Sequence, residues 1–307
     1  MKCQLKKIWA ILSDKYKMTI ILAQRGFYNK MPDKKFLELQ HKNVFGYKPD
    51  WKNPVTYSEK LQWLKLYNRK PEYVKLVDKY TVKKYVASII GSEYIIPTLG
   101  VWKSFEDIDF KKLPNQFVLK CTHDSGGIVI CTDKSKFDIK AARKKINTCL
   151  ARNYYIQSRE WPYKNVKRRI IAEKYMVDES GYELKDYKFF CFNGEPKAVM
   201  CIKDRTDKNK STKYNFYDEN FKHLPLNVKD NSEILIKRPP SFEQMKEYAK
   251  LLSKGFPHIR VDFYDINGKL YFGELTFFHH GGFETFEPPY WNKIWGSWIK
   301  LPEKYNN

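Results

Sequence analysis

The chain holds few of the features that assign a function quickly. Its six cysteines (Cys3, Cys121, Cys131, Cys149, Cys191, Cys201) form no C-x-x-C pair, so no dithiol motif of that kind is present. Several lie inside apolar runs, where a free thiol behaves as a small hydrophobe, and a reducing compartment is expected. No uninterrupted apolar stretch approaches ~18 residues, so no membrane span is expected. The opening MKCQLKKIW lacks a compact apolar region with a small-residue cleavage site, so no secretory signal is expected either. These absences predict a cytoplasmic protein. Acidic residues are scarce: 35 Asp+Glu stand against 57 Lys+Arg, a formal net charge of +22. Such a field concentrates nucleic acid, acidic lipid, nucleotides or acidic sugars. The basic residues are spread along the chain without a dense block. No zinc finger, K-homology loop or RNA-recognition aromatic motif accompanies them, so nucleic acid is not the expected partner. A Walker A loop and a three-glycine dinucleotide fingerprint are absent too.

What is present is globular. Apolar residues make up 42% and aromatics 16% of 307 residues, enough for one large domain or two to three small ones around a buried core. Residues 5–22 carry apolar residues at helical spacing interleaved with Lys. This is a helix packed on its own domain or, on the other reading, one making peripheral contact with an anionic membrane. Residues 29–57, with Pro32, Pro49 and Pro54, read as irregular. Thr56 or Ser58 then caps a helix, YSEKLQWLKLYN, with Leu61, Leu64 and Tyr67 on one face. A second helix runs from PEYVKL to near Gly91. From Phe117 short β segments take over: FVLKC, GIVICTD and RRIIAEKYM, with a Lys-rich helix near 138–152, then YKFFCFNG, PKAVMCIKD and KYNFYDEN. A helix over 241–254 with Ser241 as its cap, the hairpin IRVDFYDINGKLYFGELTF and a helix PPYWNKIWGSWIK close the chain. The class is α+β without internal repeats, with a seam near residue 115.

Two stretches carry chemistry. In the hairpin, Asp262 and Glu274 sit on opposite arms, and their faces depend on the turn. A two-residue Asn267-Gly268 loop pairs Asp262 with Gly273 and turns Glu274 away. A three-residue loop, Ile266-Asn267-Gly268, puts Arg260, Asp262, Glu274 and Thr276 on one face and Val261, Phe263, Leu275 and Phe277 on the other. The second separates charge from apolar residues and is the one expected. Two acids so placed repel unless a cation lies between them, and hard oxygen ligands suit Mg²⁺. The plainer reading is a solvent-facing strand whose acids pair with Lys or Arg. The other stretch is FVLKCTHDSGGIVICTD, strand–loop–strand. Its loop amides can cradle phosphate oxygens, with Lys120 adding a point charge; a simple hairpin turn is the alternative.

Lys120 with its glycine loop, IIAEKYM, and RVDF…GELTF follow in order. Together they resemble the ATP-grasp superfamily, and more closely its TupA-like branch from bacterial polysaccharide biosynthesis. The resemblance runs from about Lys60 to WIKLP. It implies an α+β ATP-grasp fold of two α+β subdomains clasping a nucleotide. Residues 1–115 would be a mainly helical N-terminal region, 116–180 the lid subdomain with the glycine loop, and 181–307 the C-terminal subdomain with the Mg²⁺ hairpin. It implies ATP and Mg²⁺. Lys79 and Lys120 would face the nucleotide, and His123, Ser125, Gly126 and Gly127 would form the phosphate loop. Glu173, Lys174, Tyr175 and Met176 would form the hinge strand, with Asp178 or Glu183 on the ribose. Lys188, Lys203 and Arg205 would face the phosphates or the acid. Asp262 and Glu274 match the magnesium ligands, Arg260 an arginine that steadies the transferred phosphate. Thr276 stands where many relatives place Asn, and Asp124 where the branch commonly has Gly. His279, His280, Gly281 and Gly282 would line an acceptor site or form a plain turn. The implied reaction activates a carboxylate as an acyl phosphate for attack by an amine. The acid would be a uronic acid on a sugar or lipid-linked glycan, and the amine an amino acid or small amine. Two other readings stay open. One is a glycosyltransferase, since Asp107-Ile108-Asp109 imitates a D-x-D motif within an ordinary loop. The other is a non-catalytic protein binding nucleotide or anionic glycan.

Overall fold

The computed structural model describes residues 14–181, 184–204, 212–228 and 235–304. Its first third is helical, and side chains satisfy first-turn amides in two of these helices. Asp14 accepts from the Lys17 amide (3.0 Å) to start Lys15–Gln24 (α1). Thr19 and Ala23 of this helix are buried, and Asn43 donates to Thr19 Oγ1 at 2.8 Å. This part therefore packs on the chain's own body; residues 5–13 of the expected basic helix lie outside the described residues. Asp33–Phe45 (α2) overturns the irregular reading of 29–57. Pro32 is the N-cap rather than a breaker, since a residue at the helix entrance has no amide in the helical ladder to lose. Tyr57–Tyr67 (α3) opens on a capping box, with Thr56 accepting from the Glu59 amide and Glu59 accepting from the Thr56 amide. The second expected helix breaks at Asp78 into Tyr73–Val77 (α4) and Thr81–Ile90 (α5). The Asp78 carboxylate accepts from the Tyr80 amide, competing with the helical ladder, and also pairs with Arg169. No described helix is long and apolar enough to cross a membrane.

Two antiparallel sheets follow. The first holds Thr98–Trp102 (β1), Phe117–Cys121 (β2), Ile128–Cys131 (β3) and Ile170–Lys174 (β4) in the order β1-β4-β2-β3. Ile139–Ala151 (α6) packs on it, and Tyr155–Ser158 (α7) is a single turn beyond. Its core joins Phe117, Leu119, Ile146 and Ala172 to Phe105, Ile108 and Leu113. Residue 115 lies inside the stretch that builds this core. The second sheet holds Asp186–Phe192 (β5), Glu195–Lys203 (β6), Lys213–Asp218 (β7), His258–Ile266 (β8) and Lys269–Thr276 (β9), ordered β7-β6-β5-β8-β9. Phe242–Ser253 (α8) and Tyr290–Trp298 (α9) share its core with α3, α4 and α5. Ser241 does not cap α8 as expected; its hydroxyl donates to Asp265 instead.

The β8–β9 turn corrects one expectation and preserves its consequence. Ile266 pairs with Lys269, so the loop is the two-residue Asn267-Gly268, with φ of +54° and +83°. Farther along, Phe263 opposes Phe272 while Val261 opposes Leu275. Gly273 and Glu274 together therefore oppose Asp262, a β-bulge that returns Glu274 to the Asp262 face. A Cβ at Gly273 would sit 3.1 Å from the Asp262 carbonyl oxygen and 3.3 Å from its Cβ, so the bulge favours glycine there.

Candidate active site

A cleft of about 470 Å³ runs between the sheets. Lys120, Ser125, Gly126 and Glu173 line it from the side of the four-stranded sheet. Lys188, Arg260, Asp262, Glu274 and Thr276 line it from the larger sheet. Arg260 is the hub. Its Nε and Nη2 donate to the two Asp262 oxygens (2.7 and 2.8 Å), and Nη2 also reaches Glu274 Oε1 (2.7 Å) and Thr276 Oγ1 (3.0 Å). Lys188 bonds Asp262 and donates to Asp186 Oδ1 at 3.1 Å. Burial pushes the Asp262 carboxyl up and outweighs the pull of Arg260 and Lys188; nearby Glu274 adds to the rise. On Arg260, burial is overcome by Asp262 and Glu274, so the guanidinium holds its proton more tightly than usual. Two carboxylates and a hydroxyl on one face are the oxygen donors Mg²⁺ takes, with 40% of the Glu274 side chain exposed for approach.

A second charge cluster lies on the four-stranded sheet and the helix beside it. Glu173 pairs with Lys120 (2.6 Å) and Lys83, and burial notwithstanding, the two ammonium groups hold its carboxyl down at about 2. Lys120 is in turn raised, Glu173 overcoming the effect of burial. Lys83 is not singled out by any motif. Its only sequence trace is its position four residues after Lys79, and its role depends on β4 coming alongside. Lys79 Nζ donates to the Asp124 carbonyl at 2.7 Å and so anchors the glycine loop.

That loop is a hairpin connection and also a wall of the cleft. Lys120 pairs with Ile128, and the Cys121 amide donates to the Gly127 carbonyl at 2.9 Å. Ser125 and Gly126 face the cleft, with Gly126 at φ +90° in open space. The Asp124 side chain turns away: 1% exposed, it accepts from the Ser125 amide (2.7 Å) and pairs with Arg152 (3.3 Å). The His123 ring also turns into the lid, against the Arg152 carbonyl at 3.2 Å.

Other expected residues scatter. The side chains of Lys174, Tyr175 and Met176 do not line the cleft, and the Lys174 amide is bonded to the Pro97 carbonyl. Asp178 closes a turn, accepting from the Ser180 and Lys185 amides and from Lys185 Nζ. Lys203 borders a different depression with Lys185 and Tyr187, because Met200 and Ile202 take the cleft face of β6. Glu183 and Arg205 lie outside the described residues. Asp107 and Asp109 accept from the amides of Ser104 and Lys111 in an exposed loop away from the cleft.

The turn after β9 does reach the cleft through His279, His280 and Gly281. His280, Gly281 and Gly282 are all left-handed (φ +47°, +62°, +72°), and a Cβ at Gly282 would meet Gln62 Nε2 at 2.5 Å. Gln62 and Lys65, which no motif marks, hold this turn from α3. Lys65 Nζ donates to the Gln62 side chain and to the Ser158 and Gly281 carbonyls, and burial lowers its pKa to about 7. Burial drops His279 to about 3. Arg260 Nη1 donates to its Nδ1 at 2.6 Å, which leaves the ring proton on Nε2, 3.2 Å from Glu284. His279, His280 and Glu284 cluster closely enough to hold an ion, but that retained proton occupies the nitrogen a metal would need.

A family model described as TupA-like ATPgrasp matches residues 59–300. No curated protein matches the chain. Among solved structures, D-alanine–D-alanine ligase from Bacillus anthracis complexed with ATP is 16% identical, covering 66% of this chain and 53% of that one, with a TM-score of 0.38. D-Alanine–D-alanine ligase from Helicobacter pylori is 15% identical over 71% of this chain and 61% of that one (TM-score 0.40). The ATP-grasp ligase PsnB, complexed with a phosphomimetic variant of its minimal precursor, Mg and ADP, is 11% identical over 82% and 64% (TM-score 0.41). The chain spans about half the length of the first of these structures.

Proposed function

The chain belongs to the TupA-like ATP-grasp family, and on that premise we propose that it is an ATP-dependent carboxylate–amine ligase. It joins an amino acid or small amine to a uronic acid of a bacterial surface polysaccharide or its precursor, through an acyl phosphate. The observation that carries this reading is the Arg260 hub, where one guanidinium gathers Asp262, Glu274 and Thr276 at the wall of a cleft that the glycine loop also lines.

Lys120 and the loop backbone at Gly126 hold the ATP phosphates, and Lys79 keeps their loop in place. Asp262, Glu274 and Thr276 would hold Mg²⁺, which when bound neutralises charge on the β- and γ-phosphates. Arg260 and Lys188 offset charge as the γ-phosphoryl group passes from ADP to a carboxylate oxygen of the acid. The amine nitrogen then attacks the acyl carbon; the C–O bond to phosphate breaks, and the amine's proton leaves with inorganic phosphate or solvent. Closure of the glycine loop over the cleft excludes water from the acyl phosphate. The +22 charge suits an acidic polymer precursor.

Asp124 does not favour the non-catalytic reading, since its carboxylate is bound to Arg152 and the Ser125 amide instead of facing a triphosphate. Asp107 and Asp109 give the glycosyltransferase reading no site in the cleft. The test is ADP release from ATP and Mg²⁺ across a panel of uronic acids and amines. Acid-dependent release is expected from the wild type and not from Glu274→Ala. Equal release by both, or UDP release from a sugar nucleotide instead, would overturn the proposal.

A further inference from the structure

Five acids line the cleft: Glu160, Glu173, Asp186, Asp262 and Glu274. Four are in ion pairs, Glu173 with Lys83 and Lys120, Asp186 with Lys188, Asp262 with Lys188 and Arg260, and Glu274 with Arg260. Glu160 forms no salt bridge with a described residue, although it is 4% exposed. Its Oε1 accepts the Ser158 hydroxyl at 2.7 Å. The cation behind it, Lys65, directs its ammonium hydrogens to Gln62 Oε1 and to the carbonyls of Ser158 and Gly281. Burial accordingly raises the Glu160 carboxyl, against the opposing fields of Lys65 and Arg260. A buried carboxylate without an ion-pair partner is costly, and a chain that keeps one beside a ligand cleft gains when a ligand supplies the missing charge.

The surroundings specify which charge. Tyr154 and Tyr163 line the same cleft, their rings T-shaped at 4.8 Å between centroids. Burial raises both phenols, and the Glu160 charge adds to the rise in each, so both lie within its field. Aromatic faces beside a carboxylate attract an organic cation. A small divalent ion wants several oxygen ligands, which one carboxylate does not give. Neutral sugar hydroxyls would leave the charge uncompensated. The fields of Arg260 and Glu274 also reach Glu160, so the place adjoins the phosphoryl-transfer centre.

We propose that Glu160, Tyr154 and Tyr163 form the subsite that receives the ammonium group of the second substrate. The identity of that substrate as the attacking amine rests on the ligase reading; the charge chemistry of the subsite does not.

The test titrates the full chain, with Mg²⁺ and ADP present, using ethanolammonium and L-alaninamide against their neutral counterparts ethylene glycol and lactamide, followed by saturation-transfer NMR. The two cations are expected to bind saturably and the neutral pair not. Glu160→Gln should weaken the cations roughly tenfold or more, and Glu160→Asp less. The melting temperature of Glu160→Gln should stay level or rise, because an uncompensated buried charge has been removed. No saturable ammonium binding by the wild type would overturn the proposal, as would equal affinity in Glu160→Gln. So would a loss confined to Mg²⁺ or glucuronic acid, or a marked fall in melting temperature that makes Glu160 a structural counter-ion for Lys65. Ammonium binding without ADP release under any acid–amine pairing would break the ligase reading and leave the subsite standing. Acid-dependent ADP release whose amine KM is unmoved by Glu160→Gln would break the subsite alone.

Discussion

The lid and the larger sheet each bring a carboxylate cluster to the cleft, and the same ingredients give opposite results. On the lid, Glu173 has Lys83 and Lys120 to itself, and its carboxyl is held down at about 2. On the larger sheet, Asp262 shares Arg260 with Glu274 and Lys188 with Asp186, and its carboxyl is raised. Burial acts upward on both acids, so the ratio of cations to acids decides the sign. Among the described ion pairs, two cations serve one acid in the first cluster and two serve three in the second.

The heaviest way to break this contrast is Arg260→Met. It leaves Asp262 and Glu274 facing each other, and a loss of roughly 3–5 kcal/mol in stability is expected, as for other broken buried pairs. Lowering the pH should recover part of that loss by protonating the acids, which denaturant melts at pH 7 and pH 5 would show; no recovery would mean the acids do not repel. A middle-sized test uses the sign of the pKa shifts. Glu173 is depressed, so its contribution is present above its unfolded pKa, near 4.5, and lost as the pH falls toward about 2. Its removal by Glu173→Gln should flatten that stretch of the acid-unfolding profile by on the order of 2–3 kcal/mol. Asp262 is raised, so its contribution has the opposite slope: stability falls as the pH rises from its unfolded pKa, near 3.8, through its raised folded value. Asp262→Asn should therefore remove a loss of stability with rising pH, not a gain. The smallest effect is expected from Asp124→Gly. Its carboxylate turns from the cleft toward Arg152, so turnover should stay within about threefold of wild type, and stability should fall by about 1–2 kcal/mol as the Ser125 amide loses its buried acceptor. A large gain in turnover would show that the acid does reach the phosphates.

Much of the site was legible because its residues lie on regular strands. Alternation alone placed Arg260, Asp262 and Glu274 on one face, although through the wrong turn. The true device is the bulge at Gly273, and a lone glycine in a strand does not announce on which side it adds a residue. The glycine loop's place beside the cleft was legible from Lys120 onward, but the direction of Asp124 depended on Arg152, which comes from the end of α6. Lys83, Gln62, Lys65 and Glu160 were silent for the same reason. Each is one polar residue on a helix or turn, and its meaning comes from a partner distant in sequence. Residue 115 falls between two strands of one sheet because β1 crosses to pair with β4, some seventy residues later, which local periodicity does not report. The helix Asp33–Phe45 was hidden by Pro32 at its entrance and by Pro49 and Pro54 beyond its end.

The central claim, that the acids gathered by Arg260 serve phosphoryl transfer to a carboxylate, is tested most directly by trapping the acyl phosphate. Wild type and Glu274→Ala would be incubated with ATP, Mg²⁺, hydroxylamine and each of a panel of uronic acids, and hydroxamate measured. The account predicts hydroxamate with at least one uronic acid, formed with ADP in equal amounts and lost in Glu274→Ala. ADP formed without hydroxamate, or hydroxamate undiminished in the variant, would contradict it.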